Sequence, residues 1–291
     1  MFDWEDLRHF LAVARVGTLS GAARALRVDH ATVSRRLAAL ENDLQVRLVD
    51  RLPRTCHLTT TGQRIFELAQ KMEERAYAID RAVRASQSPL VGKVTLSVPP
   101  VLVVNFVAKH LADFRLQHPD IQLSVLGQAQ HVSLSRREAD LAVRLTRPKE
   151  PSSIVRKLGS MPFALYANCE YLHLQHPATW EFIVFDAQFD DMPQQKWLRG
   201  IAGARPIACE ISDINGHLAA AREGVGVAGL PCFLGDADTS LQRLTYEGPS
   251  FTRDIWLIVH RDLRRSATIR AVMDFLVAVV GSSGTFEAKR A

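Results

Sequence analysis

Apolar residues in the first part of the chain keep helical spacing, whereas those of the last two thirds alternate with polar ones in short runs. In DLRHFLAVARVG, residues 6–17, Leu7, Phe10, Leu11 and Ala14 recur at i, i+3, i+4 and i+7, which predicts a first helix that stops at Gly17. Ser20 is a capping residue type ahead of GAARAL, a short second helix whose alanines allow a neighbour to approach closely. After a tight Arg27-Val28 turn, Asp29 caps a third helix running to about Asn42, on which Val33, Leu37 and Leu40 form one apolar stripe. VRLVDRLPRTCHLTTTG, residues 46–62, then reads as strand, turn, strand and helix start, with Pro53 in the turn.

From Thr61 no helix breaker occurs until Pro89, and Ile65, Ala69, Met72, Ala76, Ile79 and Val83 are spaced alternately four and three apart. That is a heptad seam on a helix of roughly 25 residues, about 37 Å long. Its apolar stripe fits either its own chain's domain or a second copy of the same helix. SQSPLVG, residues 86–92, reads as a hinge. Beyond it, KVTLSV alternates, VNFVAKHLADFRLQHP is helical through Val104, Val107, Leu111 and Phe114, and DIQLSVLG alternates again, which is a βαβ pattern. DLAVRL, FALYAN, EFIVFD, PIACEI, VAGLP and IWLIVH supply further strands, and GHLAAAREG and SATIRAVMDFLVAVV further helices. The fold class expected is α/β overall.

At 291 residues the chain is long enough for two or three compact units. Its 47% hydrophobic and 23% charged residues suit a globular protein, and no apolar run approaches the roughly 20 residues of a membrane span. The start, MFDWEDLRHF, lacks the basic then apolar design of a secretory signal, so a cytoplasmic protein without a membrane partner is expected. Cys56, Cys169, Cys209 and Cys232 are dispersed and have no metal-ligand spacing, so reduced thiols and no metal are expected. The net charge of +5 is concentrated: residues 24–64 hold eight arginines against four acidic residues. Such a patch suits a phosphate backbone, although a merely solvated basic face has the same composition.

Two short motifs lose their force in context. GVGVAG, residues 224–229, matches the dinucleotide fingerprint, which needs strand, glycine turn and then helix. Here a helix precedes it and a strand follows, so Gly224 reads as a helix terminator. HLQH, residues 173–176, lacks the glutamate of a zinc-protease helix and runs straight into Pro177. With no nucleophile elbow, phosphate loop or Cys/His signature in context, no catalytic residue and no cofactor is expected, and the chain reads as a binding protein rather than an enzyme.

The third helix carries the sharper chemistry. At 100° per residue, Ala31, Arg35, Ala38 and Asn42 point furthest from its apolar stripe, with His30, Thr32 and Ser34 on the flanks. An arginine between alanines leaves a slim face that a major groove about 12 Å wide can accept, Arg suiting guanine and Thr the thymine methyl. A small helical bundle with a polar surface produces the same pattern. The two-stranded wing, however, brings Arg51 and Arg54 to the same end as phosphate clamps.

Together, FLAVARVGTLSGAARALRVDHATVSRRLAALENDLQVRLVDR and the following LTTTG resemble the winged helix-turn-helix of LysR-type transcriptional regulators, with several elements matching in order and spacing. The resemblance implies a winged helix-turn-helix at 1–62, a long linker helix at 63–88 that pairs between chains, and an effector-binding domain at 89–291. That last domain would be periplasmic-binding-protein-like, of two subdomains, about 89–162 with 263–291 and about 163–262, with crossing strands near Arg144-Leu145-Thr146 with Phe163-Ala164 and near His260. His30, Ala31, Ser34 and Arg35 fall where the family meets base edges, and Thr32 and Arg36 are weaker contact positions. Where many members carry SQP or SQS, this chain has Asp29-His30-Ala31, and the Asp29 carboxylate would repel a close phosphate.

Effector contacts are implied at Pro99, Pro100 and Val101, at Gln128 and Ala129, at Ser212 and Asp213, and at Gly229, Leu230 and Pro231. Family members often offer free backbone N–H groups at the first of these, which suits carboxylates; here two prolines remove them, leaving a small organic acid and a neutral or bulkier effector both open. The implied partners are promoter DNA, a small-molecule effector, further copies of the chain in a homotetramer or a dimer, and RNA polymerase. A cytoplasmic solute-binding or sensor protein without base readout is the alternative function.

Overall fold

The computed structural model describes residues 2–52, 55–86, 90–128, 138–148, 153–282 and 286. The chain divides into two compact units, Met1–Arg81 and Ala82–Ala291.

The first unit opens with three helices, α1 (Trp4–Val16), α2 (Leu19–Leu26) and α3 (His30–Leu44). Gly17 closes α1 in the left-handed conformation, as its position after the last apolar residue predicts. The cap of α2 is Thr18 rather than Ser20. Thr18 is extended, and its hydroxyl accepts the Gly21 N–H at 3.0 Å, so the helix begins at Leu19 and Ser20 falls inside it. Arg27 leaves α2 left-handed, and Asp29 then starts α3 by accepting the Thr32 N–H at 2.6 Å. Val33, Leu37 and Leu40 of α3 are fully buried with Leu7, Phe10 and Leu11 of α1, which fixes the side of α3 that is left outward. The wing is the antiparallel pair β1 (Val49–Leu52) and β2 (Thr55–Leu58).

A single helix, α4 (Thr60–Ser86), follows the wing. Its start belongs to the first core: Ala69 is buried there and Ile65 packs against it. Glu73, also buried, takes two bonds from Arg15 on α1: Nη1 donates to Oε1 at 3.2 Å, and Nη2 donates to Oε2.

In the second unit, β3 (Gly92–Val98) leads into α5 (Pro100–Asn105), a single 3-10 turn and α6 (Leu111–Gln117). The continuous helix expected from Val104 is therefore broken. Proline at the first position of α5 starts it earlier, and Phe106 then leaves helical geometry, its ring edge-on to Phe286 with centroids 4.7 Å apart. Next come β4 (Ile121–Gly127), β5 (Leu141–Arg144), β6 (Ser153–Asn168), β7 (Phe182–Val184), α7 (Pro193–Ala202), β8 (Ile207–Glu210), α8 (Ile214–Arg222) and β9 (Val227–Pro231). The chain continues through α9 (Cys232–Gly235), β10 (Leu241–Leu244), β11 (Phe251–His260) and α10 (Ala267–Ser282).

These strands form one nine-stranded sheet in the order β4-β3-β5-β11-β6-β9-β7-β8, with β10 on β6. β3 is parallel to β4 and β5, and β7 is parallel to β8 and β9. The join between the two sides is the antiparallel pair β6–β11, which runs from Phe251↔Phe163 to His260↔Ser153 with a bulge at Ile255/Trp256. The crossing is thus made along the length of both strands: Phe163 and His260, expected at the crossings, lie at the two ends of this pair, whereas Arg144 lies on β5 opposite Trp256.

The Arg15–Glu73 pair links the end of α1 to α4 within the first unit. Breaking it by Glu73→Ala is expected to lower the stability of that unit by about 1–3 kcal/mol in urea unfolding. An Arg15→Ala/Glu73→Ala double variant should lose less than the two single losses added together.

Candidate functional sites

The outward side of α3 presents Ala31, Arg35 and Ala38 exposed, with His30 exposed at the first turn and Thr32 and Ser34 half-buried on the flanks. The sequence-predicted residues do not all have the same freedom. Thr32 spends both its N–H and its hydroxyl on Asp29, at 2.6 and 2.9 Å, and these bonds hold the Asp29 carboxyl below the usual range. That carboxylate is thereby committed to the cap. Arg36 is likewise occupied: Nη1 donates to Asp6 Oδ1 at 3.0 Å and to Asp3 Oδ2 at 3.3 Å, and the bond to Asp6 raises its guanidinium pKa. Two successive arginines thus have different surroundings, Arg35 exposed and Arg36 clamping α3 to α1. Arg51 lies on β1 opposite Cys56, and Arg54 lies outside the described residues.

Along α4 the predicted seam divides. Ile65 and Ala69 enter the first unit's own core, whereas Met72, Ala76, Ile79 and Val83 are exposed, Ile79 at 70%. Leu68, beside them, is exposed as well. Packing on its own chain's domain, one of the two alternatives left open by the spacing, is therefore seen for the first stretch of the helix only, and the second stretch is exposed.

The second unit contains a cavity of about 410 Å³. It lies just beyond the carboxyl ends of β3, β5, β7 and β8, where Pro99, Leu145, Phe185 and Ser212 follow the strands into its wall. This is where open α/β sheets bind ligands. Of the predicted contacts, Pro99, Pro100, Val101, Ser212 and Asp213 line it. Gln128 is exposed and outside the lining, and Ala129 lies outside the described residues. Gly229, Leu230 and Pro231 are buried in β9 against Leu165, Ala164 and Phe163 of β6. A Cβ on Gly229 would stand 2.7 Å from the Trp197 ring, so that glycine serves helix packing rather than a ligand.

Sequence reasoning missed the most polar part of the wall, Arg144, Thr146, Gln194 and Arg253, and its aromatic side, Phe185 and Phe189. Phe185 is held from behind. Gln195 exchanges two bonds with its backbone, at 2.7 and 3.0 Å, and the His217 ring lies 4.2 Å from its own. His217 is fully buried; its Nε2 donates to Ile211 O at 2.8 Å, and Nδ1 has no hydrogen-bond partner among the described residues.

Gly224 ends the turn after α8 with φ +73° and precedes β9, so GVGVAG has the order helix then strand. Among the described residues, no cluster of three or more His, Cys, Asp or Glu could hold a metal ion, and no helix is long and apolar enough to cross a membrane.

Residues 4–63 match the family model described as "Bacterial regulatory helix-turn-helix protein, lysR family", and residues 87–281 match "LysR substrate binding domain". The AhcY transcriptional activator HvrB of Rhodobacter capsulatus is 35% identical over 231 residues, 76% of this chain and 77% of that protein. The Mau operon transcriptional activator of Paracoccus denitrificans is 26% identical over 94% of this chain and 95% of its own length. In fold, the chain is similar to ArgP from Mycobacterium tuberculosis, with a TM-score of 0.62 and 23% identity over 99% of this chain and 100% of that one.

Burial lowers the pKa of His217, against the bond to Ile211 O and the nearby Asp213, which raise it. The folded protein therefore binds fewer protons here than the unfolded chain once the pH falls below the ordinary histidine value of about 6.5. Stability should be fully present above that pH and decline as it is lowered through it. Urea titrations between pH 7.5 and 5 should show a decline that is shallower in His217→Gln, by up to one proton's slope.

Proposed function

Since the chain belongs to the LysR family of transcriptional regulators, and is a sequence-specific DNA-binding protein with a C-terminal effector-binding domain, we propose a division of these roles among its residues. Arg35 reads a base edge in the major groove, with His30, Ala31 and Ser34 beside it, and Thr32 contributes its methyl group. Arg51 and Arg54 hold phosphates from the wing. The observation that carries this reading is the contrast on α3: Val33, Leu37 and Leu40 are fully buried, while Ala31, Arg35 and Ala38 leave a slim exposed face. Arg36 supports the reader by fixing α3 to α1.

The exposed part of the α4 seam, Met72, Ala76, Ile79 and Val83, pairs with a second copy, so that two recognition helices meet two half-sites. A homotetramer built from two such dimers is the assembly we favour over a lone dimer. The domain limits that follow are 1–62 for DNA binding, 63–88 for the linker helix and 89–291 for the effector domain, whose two subdomains meet at the cavity. A small molecule in the cavity biases two arrangements of the subunits and so changes promoter occupancy, by binding without chemistry. In Corynebacterium glutamicum LysG, similar in fold at a TM-score of 0.53, the bound effector is arginine. HvrB and the Mau operon regulator are named activators, which supports a contact with RNA polymerase in the cytoplasm, whereas a Pseudomonas aeruginosa relative 29% identical over 56% of this chain is named a repressor.

Selection of binding sites from a random DNA pool tests the assignment. Arg35→Ala should lose about 1–3 kcal/mol on its best site and accept more bases at one position; a retained preference would reject its role. Arg36→Ala should weaken all sequences alike and lower the stability of the first unit. Arg54→Ala should reduce the slope of log affinity against log salt by about one.

A further inference from the structure

Two arginines, Arg144 and Arg253, stand in the wall of the cavity, and among the described residues no carboxylate is hydrogen-bonded to either. Arg253 is 9% exposed and gives its N–H groups to neutral acceptors: Leu145 O at 3.1 and 3.3 Å, Thr146 Oγ1 at 3.0 Å and Gln194 Oε1 at 2.7 Å. Arg144, 7% exposed, donates to Ser97 O at 3.1 Å, Ser97 Oγ at 2.9 Å and Val143 O at 2.7 Å. Among the described residues these bonds leave one N–H of Arg253 and two of Arg144 uncommitted, since a guanidinium has five.

Two acids share the wall, but both are engaged elsewhere. Asp213 caps α8 by accepting the N–H groups of Asn215 and Gly216, at 2.8 and 3.3 Å, and Asp191 is exposed and paired with Lys196 at 2.9 Å. Burial accordingly lowers the pKa of both guanidinium groups, with no carboxylate acting to raise it. An arginine nevertheless stays charged in a protein, so the cavity wall carries two buried positive charges that, among the described residues, are bonded to neutral acceptors only.

Gln188 and Ser212 add polar groups to the wall, and most of what remains is apolar. Phe185, Phe189, Met192 and Ile214 face the same space, and Pro99 and Pro100 bring no N–H to it. Its volume of about 410 Å³ holds one small organic molecule, not a peptide.

Accepting the cavity as the effector site, we propose that the effector is an organic carboxylate with an apolar body and no cationic group, its carboxylate bound by Arg253 and Arg144. The body lies against the aromatic side of the wall. The anion is taken by side-chain forks from β5 and β11 instead of by the backbone N–H groups at the start of α5. Ligand charge neutralises what the free protein leaves uncompensated, so binding favours the cavity in its occupied form.

Thermal unfolding of the full chain at fixed ionic strength tests this with matched probes at millimolar concentration: hydrocinnamate, hydrocinnamamide and phenylpropylamine, together with adipate and adipamide. Saturable stabilisation is expected from one or both acids and from neither amide nor the amine. Arg253→Gln should weaken that acid about 10- to 100-fold. Arg144→Gln should do the same, and serves if the first variant does not fold. Equal responses to acid and amide, acid binding unaltered in both variants, or no response to any acid would each overturn the carboxylate assignment. Ile214→Trp, which fills the cavity, separates the two readings. An amide or amine response abolished by it keeps the cavity as the site and removes only the chemistry proposed, whereas any probe response that survives it overturns the cavity as the site.

Discussion

The antiparallel pairing of β6 with β11 is where the β4-β3-β5 side of the sheet meets the β9-β7-β8 side. Every hydrogen-bonded path between the two sides, among the described strands, passes through that pair. It therefore governs how the parallel strand ends of the two sides face each other, and the cavity lies between those ends. Arg253 sits on β11 opposite Met161 of β6, ahead of the bulge at Ile255/Trp256. From that central strand it binds Leu145 at the end of β5 and Gln194 in the first turn of α7. One guanidinium thus touches elements from both sides of the sheet.

The first unit solves a different problem with the same economy. A helix that reads DNA needs one face clear and a backbone that does not rock. Three fully buried residues on α3 and the Arg36–Asp6 bond provide the second condition without occupying the first. The Asp29 carboxylate caps the helix start through its bonds to Thr32 and keeps its charge there.

Most of this unit was legible in the sequence, since 3.6-residue periodicity survives in helices whose one face is buried. What failed was local choice. Thr18 and Ser20 are equally good capping types, and only the extended backbone at Thr18 decides between them. In the second unit, strands were found where apolar residues alternate, but α7 and the first ten residues of β6 were not, because PQQKWLRGIA is only ten residues long and opens on proline and two glutamines, and SIVRKLGSMP mixes charge into a strand. The cavity was half legible. Pro99, Ser212 and Asp213 could be found because they follow strand ends. Arg253 could not: nothing in FTRDIWLIVH marks its third residue as buried, and the pairing with Met161 that buries it joins positions 92 apart in the chain. Gly229 was misassigned for the complementary reason, since its neighbour Trp197 comes from a helix that the pattern did not reveal.

The separation of duties along α3 bears on how such a protein diverges after gene duplication. Residues that anchor the helix and residues that look outward interleave in sequence, yet they do not depend on shared bonds: Arg36 is tied to Asp6 and Asp3, while Ala31, Arg35 and Ala38 are exposed. Exchanges at the outward positions leave the scaffold's folding energy nearly untouched, so a paralogue can change the exposed side of this helix by single steps without passing through an unfolded ancestor.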